Sequence, residues 1–266
     1  MHEILELPET PAQIETYPGA QAVSRAIALL KAFSDQQPEW ALSELTQRVG
    51  LNKATVHRLL AALEAEQFIT RNPATGGYRL GPALIVLGGY AVRANELPVV
   101  ARPALEELAE STGETTTLEV LAGDAVMILD EVSSRHLLGI AQDVGMRLPL
   151  HATSTGKLLL AHLPEAEAAA VLGAQRRALT DNTVTSPAVL RRQLGEIRAS
   201  GCAVTSGELE LGFTAVAAPV RDASGRVVAA VSVGGPSSRL DGDALERVVE
   251  LTRRAGEQIS RRLGFR

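Results

Sequence analysis

The stretch "LSELTQRVGLNKATVHRLLAALE", from Leu42 to Glu64, most constrains the fold, because one glycine separates two apolar helical stripes. The first stripe consists of Leu42, Leu45 and Val49, and Ser43 with Glu44 favours a helix start. Gly50 suits the left-handed residue that ends such a helix. Asn52 can cap a second helix with the stripe Val56, Leu59, Leu60 and Leu63. The spacing predicts a helix-turn-helix.

The other side of this second helix is polar and begins with small residues. At 100° per residue, Ala54 and Arg58 lie opposite the apolar stripe, flanked by Thr55 and His57. The last helix of a helix-turn-helix reads the DNA major groove from its N-terminal residues. Thr55, His57 and Arg58 are therefore candidate base contacts, and Lys53 is a candidate phosphate contact.

A helix precedes this motif and a hairpin follows it. Residues 21–33 carry a helical stripe of Val23, Ala26, Ile27, Leu30 and Phe33, which leaves Arg25 and Lys31 outside. After the motif, "FITRNPATGGYRLG" predicts a β-hairpin that would form a wing. Arg71 and Arg79 on this wing are candidate phosphate or minor-groove contacts, and Arg25 joins them as a candidate DNA contact.

The charge distribution agrees with a local nucleic-acid site. The chain has a formal net charge of -5, so its overall field repels DNA. Residues 21–81 nevertheless contain seven basic and five acidic residues, and no carboxylate lies between Glu44 and Glu64. A three-helix module that binds another protein is the alternative interpretation of the same pattern.

The chain after Gly81 combines strands and helices without strict alternation. Pro82 suits the first turn of a helix, and the following "ALIVLGGYAVRANEL" is apolar on more than one side, so it needs a covering partner from this chain or a second subunit. Strands are predicted in 116–132, 137–142, 202–208 and 214–233, and helices around 155–163, 166–172, 188–199 and 245–263. The pattern favours an α+β domain over a doubly wound parallel sheet.

The segment "LPLHATSTGKLLLA" has the features of an anion site. Thr153 or Ser154 can cap a helix whose free N–H groups at Thr155 and Gly156 would point at a carboxylate. An ordinary capped helix in a packed domain is the alternative. A P-loop is excluded, because His151 stands where that motif needs its first glycine.

Other protein classes fit the sequence poorly. A hydrolase using Ser154 and His151 would need a nucleophile elbow that the sequence lacks, and no histidine spacing indicates a metal site, so we expect no enzyme activity and no cofactor. The single Cys202 excludes an internal disulfide. Residues 1–20 lack the features of a signal peptide and are interpreted as a mobile tail, and no apolar run reaches the ~20 residues of a membrane span. We expect a cytoplasmic protein without membrane contact.

The motifs resemble those of the IclR family of bacterial transcriptional regulators. The similarity rests on "VSRAIALLKAF", "LSELTQRVGLNKATVHRLLAALE" and "YRLG", continues through "RPALEELAESTGETTTLEVL" and "GMRLPLHATSTGKLLLAHL", and covers nearly everything after residue 20. It implies a winged helix-turn-helix over 21–81, a linker helix over 82–97 and an effector domain over 98–266 with a GAF-like antiparallel sheet flanked by helices. It also implies operator DNA and a small-molecule effector as partners of a homodimer or homotetramer that represses or activates transcription.

The resemblance also implies an effector pocket between a helix start and the concave sheet. The matching positions are Leu148, Ser154, Thr155, Thr205, Phe213, Ala215 and Ser232, with the acidic Glu208 close by. Several departures from relatives that bind very small keto acids change the volume and the hydrogen-bond donors. Ser154 and Thr155 replace a Gly-Ala pair, Ala215 a cysteine, Thr205 an aspartate and Gly234 a serine. The effector's identity therefore does not carry over.

Overall fold

The computed structural model describes residues 19–34, 36–134, 143–173 and 176–266. The chain divides into two compact units, one ending at Ala94 and the other beginning at Asn95. The tail expected over residues 1–20 lies outside the described residues up to residue 18, and the strand expected at 137–142 lies outside them entirely.

The N-terminal unit is a winged helix-turn-helix. Its helices are α1 (Gln21–Leu30), α2 (Leu42–Val49), α3 (Lys53–Ala65) and α4 (Pro82–Ala94), and its strands are β1 (Glu39–Trp40), β2 (Ile69–Arg71) and β3 (Tyr78–Leu80). The strands form an antiparallel sheet in the order β1-β3-β2. Gly50 ends α2 in the left-handed region at φ 64°, and the Asn52 side chain accepts the N–H of Thr55 at 2.8 Å, as the sequence predicts.

The packed face of α1 differs from the predicted stripe. Leu29 is fully buried, whereas Val23 is 61% exposed and Ile27 is 45% exposed. Because α1 is apolar on more than one side, its periodicity does not decide which stripe packs inward. Leu29 joins the buried residues Leu45, Val56, Leu60, Ile69 and Tyr78 in one core.

The C-terminal unit contains a six-stranded antiparallel sheet with helices on both faces. Its helices are α5 (Glu96–Thr112), α6 (Ser154–His162), α7 (Glu165–Gly173), α8 (Pro187–Ser200) and α9 (Gly242–Arg262). Its strands are β4 (Thr115–Ala122), β5 (Ala125–Val132), β6 (Arg147–Pro149), β7 (Ala203–Ser206), β8 (Phe213–Arg221) and β9 (Val227–Pro236), in the order β6-β5-β4-β9-β8-β7. The α+β fold predicted from the sequence is confirmed.

The two faces of this sheet have separate cores. Leu105 of α5 and Ile259 of α9 pack with Leu118 and Val231 on one face. On the other face, α6 and α8 pack against the sheet through a second apolar cluster. Since side chains alternate along a strand, Leu118 points to the α5 and α9 side, and Glu119 points to the α6 side. A polar site can therefore form under α6 without interrupting the first core.

Three short or interrupted elements differ from the sequence prediction. The linker helix expected over residues 82–97 is divided, because α4 ends at Ala94 and the Asn95 side chain caps α5 by accepting the N–H of Leu97 at 3.1 Å. Strands β1 and β6, of two and three residues, were not predicted, since no turn motif marks them as the wing turn marks β2 and β3. Within the described ranges, no single helix is long and apolar enough to span a membrane; only the bent pair Pro82–Ala91 and Glu96–Thr112 reaches that length and composition jointly.

Candidate functional site

The N-terminal half of α3 presents an exposed polar surface. Lys53, His57 and Arg58 are exposed, and their side chains have no hydrogen-bond or ion-pair partner in the described part of the chain. Thr55 is half-buried beside them, and its N–H is occupied by the Asn52 cap. Arg25, on α1, is also half-buried. An exposed row of unpaired donors and cations can bond to phosphates and base edges without first breaking an internal contact.

Both wing arginines are exposed but have internal partners. Arg79 forms an ion pair with Glu39, with Nε 2.6 Å from Oε2. Glu39 also accepts hydrogen bonds from Thr75 and from Asn72, and these bonds, with Arg79, hold its pKa below the ordinary value. Arg71 donates to the Tyr78 hydroxyl and stacks over the Tyr78 ring, 4.8 Å from its centre. The charge of Arg79 is therefore partly compensated, whereas Arg71 keeps its charge on a fixed aromatic support.

The start of α6 is capped by its own threonine. Thr153 Oγ1 accepts the N–H of Gly156 at 3.1 Å and donates to the carbonyl of Pro149 at 2.9 Å. The prediction of a free N–H at Gly156 is therefore wrong, because the cap occupies it. A Cβ at Gly156 would lie 2.4 Å from the Leu150 carbonyl, so this glycine serves close packing. The N–H groups of Ser154 and Thr155 have no hydrogen-bond partner among the described residues.

A pocket lies between the start of α6 and the sheet, with about 360 Å³ of empty space that includes its open side. Seven residues expected at an effector site line it: Leu148, Ser154, Thr155, Thr205, Phe213, Ala215 and Ser232. Glu119, Ala152, Thr153, Leu209 and Gly234 also line it. Gly156 and Glu208 do not. Side chains of Lys, Arg and His are absent from this lining as far as the chain is described.

Glu119 is a buried carboxyl group in the wall of this pocket. It is 2% exposed and is surrounded by hydroxyl groups. Thr155 Oγ1 donates to Oε2 at 2.6 Å, Thr117 Oγ1 donates to Oε1 at 2.6 Å, and Ser232 Oγ lies 3.2 Å from Oε1. Burial raises the pKa of Glu119 above its ordinary value, and the bonds from Thr117, Thr155 and Ser232 oppose this shift.

Glu208 is paired beside the pocket. The Lys157 ammonium on α6 donates to Glu208 Oε2 at 2.6 Å, and the two side chains are only 2% and 9% exposed. Burial lowers the pKa of Lys157, and Glu208 partly offsets that shift. The ion pair fixes α6 to the segment after β7, whose next residue, Leu209, lines the pocket. Glu208 is therefore next to a residue of the pocket lining but is not part of that lining.

Two functional candidates, Glu119 and Lys157, were missed from the sequence. Both carry a charge inside an otherwise buried element, Glu119 within "TTTLEVLA" and Lys157 within "STGKLLLA". A charged residue at a core position is rare without a partner or a function. That signal was available, but the sequence does not show that Glu119 meets hydroxyl groups or that Lys157 meets Glu208.

The hydrolase arrangement does not form. His151 Nε2 hydrogen-bonds with the carbonyl oxygen of Arg177 at 2.9 Å, and burial lowers its pKa. Ser154 Oγ has no hydrogen-bond partner among the described residues, so the described contacts contain no base for it. Within those same ranges, no three His, Cys, Asp or Glu side chains come together as a metal site.

Comparison with known proteins identifies both units. The IclR helix-turn-helix domain matches residues 22–73, and the C-terminal domain of bacterial IclR transcriptional regulators matches residues 90–261. The chain is 37% identical to the HTH-type transcriptional regulator XynR of Escherichia coli over 93% of this chain and 99% of that protein.

Solved structures agree with these matches. An IclR transcriptional regulator from Alicyclobacillus acidocaldarius has a TM-score of 0.82 and 31% identity, covering 94% of this chain and 100% of that one. An IclR homolog from Microbacterium hydrocarbonoxydans, complexed with 4-hydroxybenzoate, has a TM-score of 0.81 and 30% identity, covering 91% and 99%. The curated relatives are named as transcriptional regulators and repressors, not as enzymes. The chain therefore belongs to the IclR family of bacterial transcriptional regulators, with a DNA-binding helix-turn-helix domain and a C-terminal effector-binding domain.

Proposed function

We propose that this regulator binds a roughly palindromic operator as a homodimer, or as a tetramer of two dimers, and that a small organic carboxylate changes its operator affinity. The observation that carries the proposal is the exposed face of α3, where Lys53, His57 and Arg58 have no partners in the described ranges. A dimer would place two such helices in successive major grooves, so the two half-sites would mirror the protein's symmetry.

The DNA contacts divide into base readout and positioning. Thr55, His57 and Arg58 on α3 are the proposed base contacts, because they lie near the start of the recognition helix. Lys53, Arg71, Arg79 and Arg25 are the proposed phosphate contacts. Among the wing residues, we expect Arg71 to contribute more than Arg79, because Glu39 already neutralises part of the Arg79 charge.

The exposed apolar surface of α4 supports the oligomer. Ile85 is 79% exposed, and Val86, Leu87 and Tyr90 are also exposed. A helix with so many uncovered apolar side chains gains free energy when another surface removes them from water. The equivalent helix of a second subunit is a self-complementary partner under two-fold symmetry.

The effector site is the pocket under α6. The backbone N–H groups of Ser154 and Thr155 and the positive end of the helix dipole favour a carboxylate there. The IclR homolog complexed with 4-hydroxybenzoate, an organic carboxylate, supports this class of ligand. A ligand of this kind changes operator affinity only if it prefers one arrangement of the subunits, and about 1–3 kcal/mol is the usual coupling.

Fluorescence anisotropy tests the DNA-binding assignment. It measures binding to DNA from the intergenic region upstream of the protein's own gene, with excess nonspecific competitor DNA present. We expect Arg58→Ala to lose about 1–3 kcal/mol of specific binding, because a bidentate base contact disappears. The matched control is Arg192→Ala, which removes an exposed arginine from α8. It should bind as the wild type does.

The salt dependence separates the two kinds of contact. Neutralising on the order of 6 to 10 phosphates predicts a ~10³- to 10⁵-fold loss of affinity between 50 and 200 mM salt. Lys53→Ala should lower the salt slope by about one and weaken all sequences alike. Unchanged operator affinity in Arg58→Ala would contradict the assignment of α3, and absence of DNA binding at both salt concentrations would favour protein contact by the winged helix.

A further inference from the structure

The pocket's hydroxyl groups and its carboxyl group restrict what the effector carries beside its carboxylate. Ser154 is 2% exposed and Thr205 is 6% exposed, and both line the pocket. Neither side-chain oxygen has a hydrogen-bond partner among the residues described. Both residues are thus largely buried, and their hydroxyl oxygens, which reach the pocket, are left for water or a ligand to satisfy.

Glu119 has unused capacity to accept a hydrogen bond. An ionised carboxylate offers about four lone-pair positions. Thr155 occupies one on Oε2, and Thr117 occupies one on Oε1. Ser232 Oγ lies 2.7 Å from Thr117 Oγ1 and 3.2 Å from Glu119 Oε1. Three contacts join Thr117 Oγ1, Ser232 Oγ and Glu119 Oε1, but the two hydroxyl groups supply only two protons. When Glu119 is ionised, one of the three contacts therefore lacks a proton.

The carboxylate subsite and the Glu119 subsite adjoin. Thr155 contributes an N–H group to the first and donates its hydroxyl to Glu119 in the second. When Glu119 is ionised, a second acceptor-only group on the effector would therefore face it without a proton to share. A neutral hydroxyl group suits this position, because it donates to the carboxyl group and also accepts from Ser154 or Thr205. An ammonium group could donate but would not accept from those two hydroxyls.

We propose that the pocket is specific for a hydroxy-carboxylic acid, with Glu119 accepting a hydrogen bond from an effector hydroxyl and Ser154 or Thr205 completing its coordination. This inference rests on the proposed function, in which the carboxylate lies at the start of α6. It makes Glu119 a specificity-determining residue. The apolar side chains of Leu148 and Phe213 then cover the carbon skeleton.

Calorimetric titration of the full-length protein with a matched series tests the ligand class. The probes are hexanoate, 2-hydroxyhexanoate, gluconate and 2-aminohexanoate, together with benzoate and 4-hydroxybenzoate. We expect a hydroxylated member to bind about 10- to 150-fold more tightly than its parent acid, the range for a buried hydrogen bond to a charged group. Equal or tighter binding of the parent acids, a preference for the amino acid, or no hydroxyl-dependent binding in the series would overturn the proposal.

Variants locate the preference at Glu119. Glu119→Leu should reduce the hydroxyl preference to less than about threefold, because the acceptor for the effector hydroxyl is lost. Glu119→Gln keeps one carbonyl acceptor and should retain part of the preference. The control, Glu106→Leu, removes an exposed carboxylate of α5 and should keep all of it. A hydroxyl preference that survives in Glu119→Leu would contradict the assignment.

Two further measurements keep the outcomes distinct. If Glu119→Leu does not fold, as judged by circular dichroism, Ser154→Ala leaves the Glu119 contacts intact and should still lower affinity for the hydroxylated acid. Operator binding is measured on the same samples. Hydroxy-acid binding without any operator binding would reject the proposed regulator function but leave this pocket assignment standing, whereas operator binding without hydroxyl preference would reject the pocket assignment alone.

Discussion

At the scale of single residues, burial changes the chemistry of Glu119. The carboxyl group has its pKa raised above its ordinary value of 4.5 because the fold removes it from water, despite three surrounding hydroxyl groups. Below about pH 4.5, both the folded and the unfolded protein hold this proton. As the pH rises above 4.5, the unfolded chain releases the proton first, so the free energy of unfolding falls until the folded protein also ionises.

Glu119→Gln should remove this dependence. We expect the variant to gain stability relative to the wild type as the pH rises above 4.5, until the folded wild type ionises, by at most about 1.4 kcal/mol per pH unit for one proton. Urea unfolding followed by circular dichroism measures the difference, and the single Trp40 reports the N-terminal unit separately by fluorescence. Glu106→Gln, at an exposed carboxyl group of α5, is the matched control. A difference between Glu119→Gln and wild type that does not change with pH would show that Glu119 titrates as an exposed carboxyl group does.

At the scale of elements, the Lys157–Glu208 pair holds α6 against the segment after β7. Glu208→Gln should cost about 3–5 kcal/mol of stability, because it leaves the buried Lys157 ammonium uncompensated. The double variant Lys157→Met/Glu208→Leu should cost much less, since it removes both charges together. Chemical denaturation of all variants measures the coupling between the two positions.

An exposed pair on α8 is the control for this cycle. Arg192 and Glu196 lie one helical turn apart, with Nε 3.7 Å from Oε1, and both are solvent-exposed. Loss of Glu196 should cost less than about 1 kcal/mol. Similar costs for Glu196→Gln and Glu208→Gln would mean that water reaches Lys157 in solution.

Local patterns predicted elements well where one residue determines an element's end. Gly50 and Asn52 delimit the turn between α2 and α3, and Gly123 with Asp124 forms the predicted turn between β4 and β5. The sequence did not show which side of α1 packs inward. Val23 and Leu29 are both apolar, and only tertiary contacts determine that Leu29 is the buried one.

The candidate pocket was predictable only in part. Its hydroxyl-bearing residues stood out through family resemblance. The use of the Gly156 N–H by Thr153 could not be predicted, because either Thr153 or Ser154 fitted the cap by spacing alone. Two of the Glu119 contacts join residues 36 and 113 positions apart, Thr155 and Ser232, and no local pattern encodes such pairings.

For the whole molecule, the proposed oligomer makes α4 the element that links subunit contact with DNA affinity. Ile85 is 79% exposed, more than Val86, Leu87 or Tyr90 of the same helix, so a charge there should prevent another subunit from covering the helix. We expect Ile85→Lys to shift the protein from dimer or tetramer to monomer in light scattering after size exclusion. Operator affinity should fall with it, because a monomer engages one half-site and loses the high effective concentration of the second recognition helix.

Two control variants place the same added charge elsewhere, one in the same helix and one in the other unit. Ala83→Lys adds the same charge at a half-buried position in the first turn of α4, and Val204→Lys adds it at the exposed edge strand β7. If α4 is the interface, Val204→Lys remains oligomeric and binds the operator as the wild type does, while Ile85→Lys does neither. A monomeric Ile85→Lys that keeps full operator affinity would separate oligomer formation from DNA binding, and an oligomeric one would assign the subunit interface to a surface other than α4.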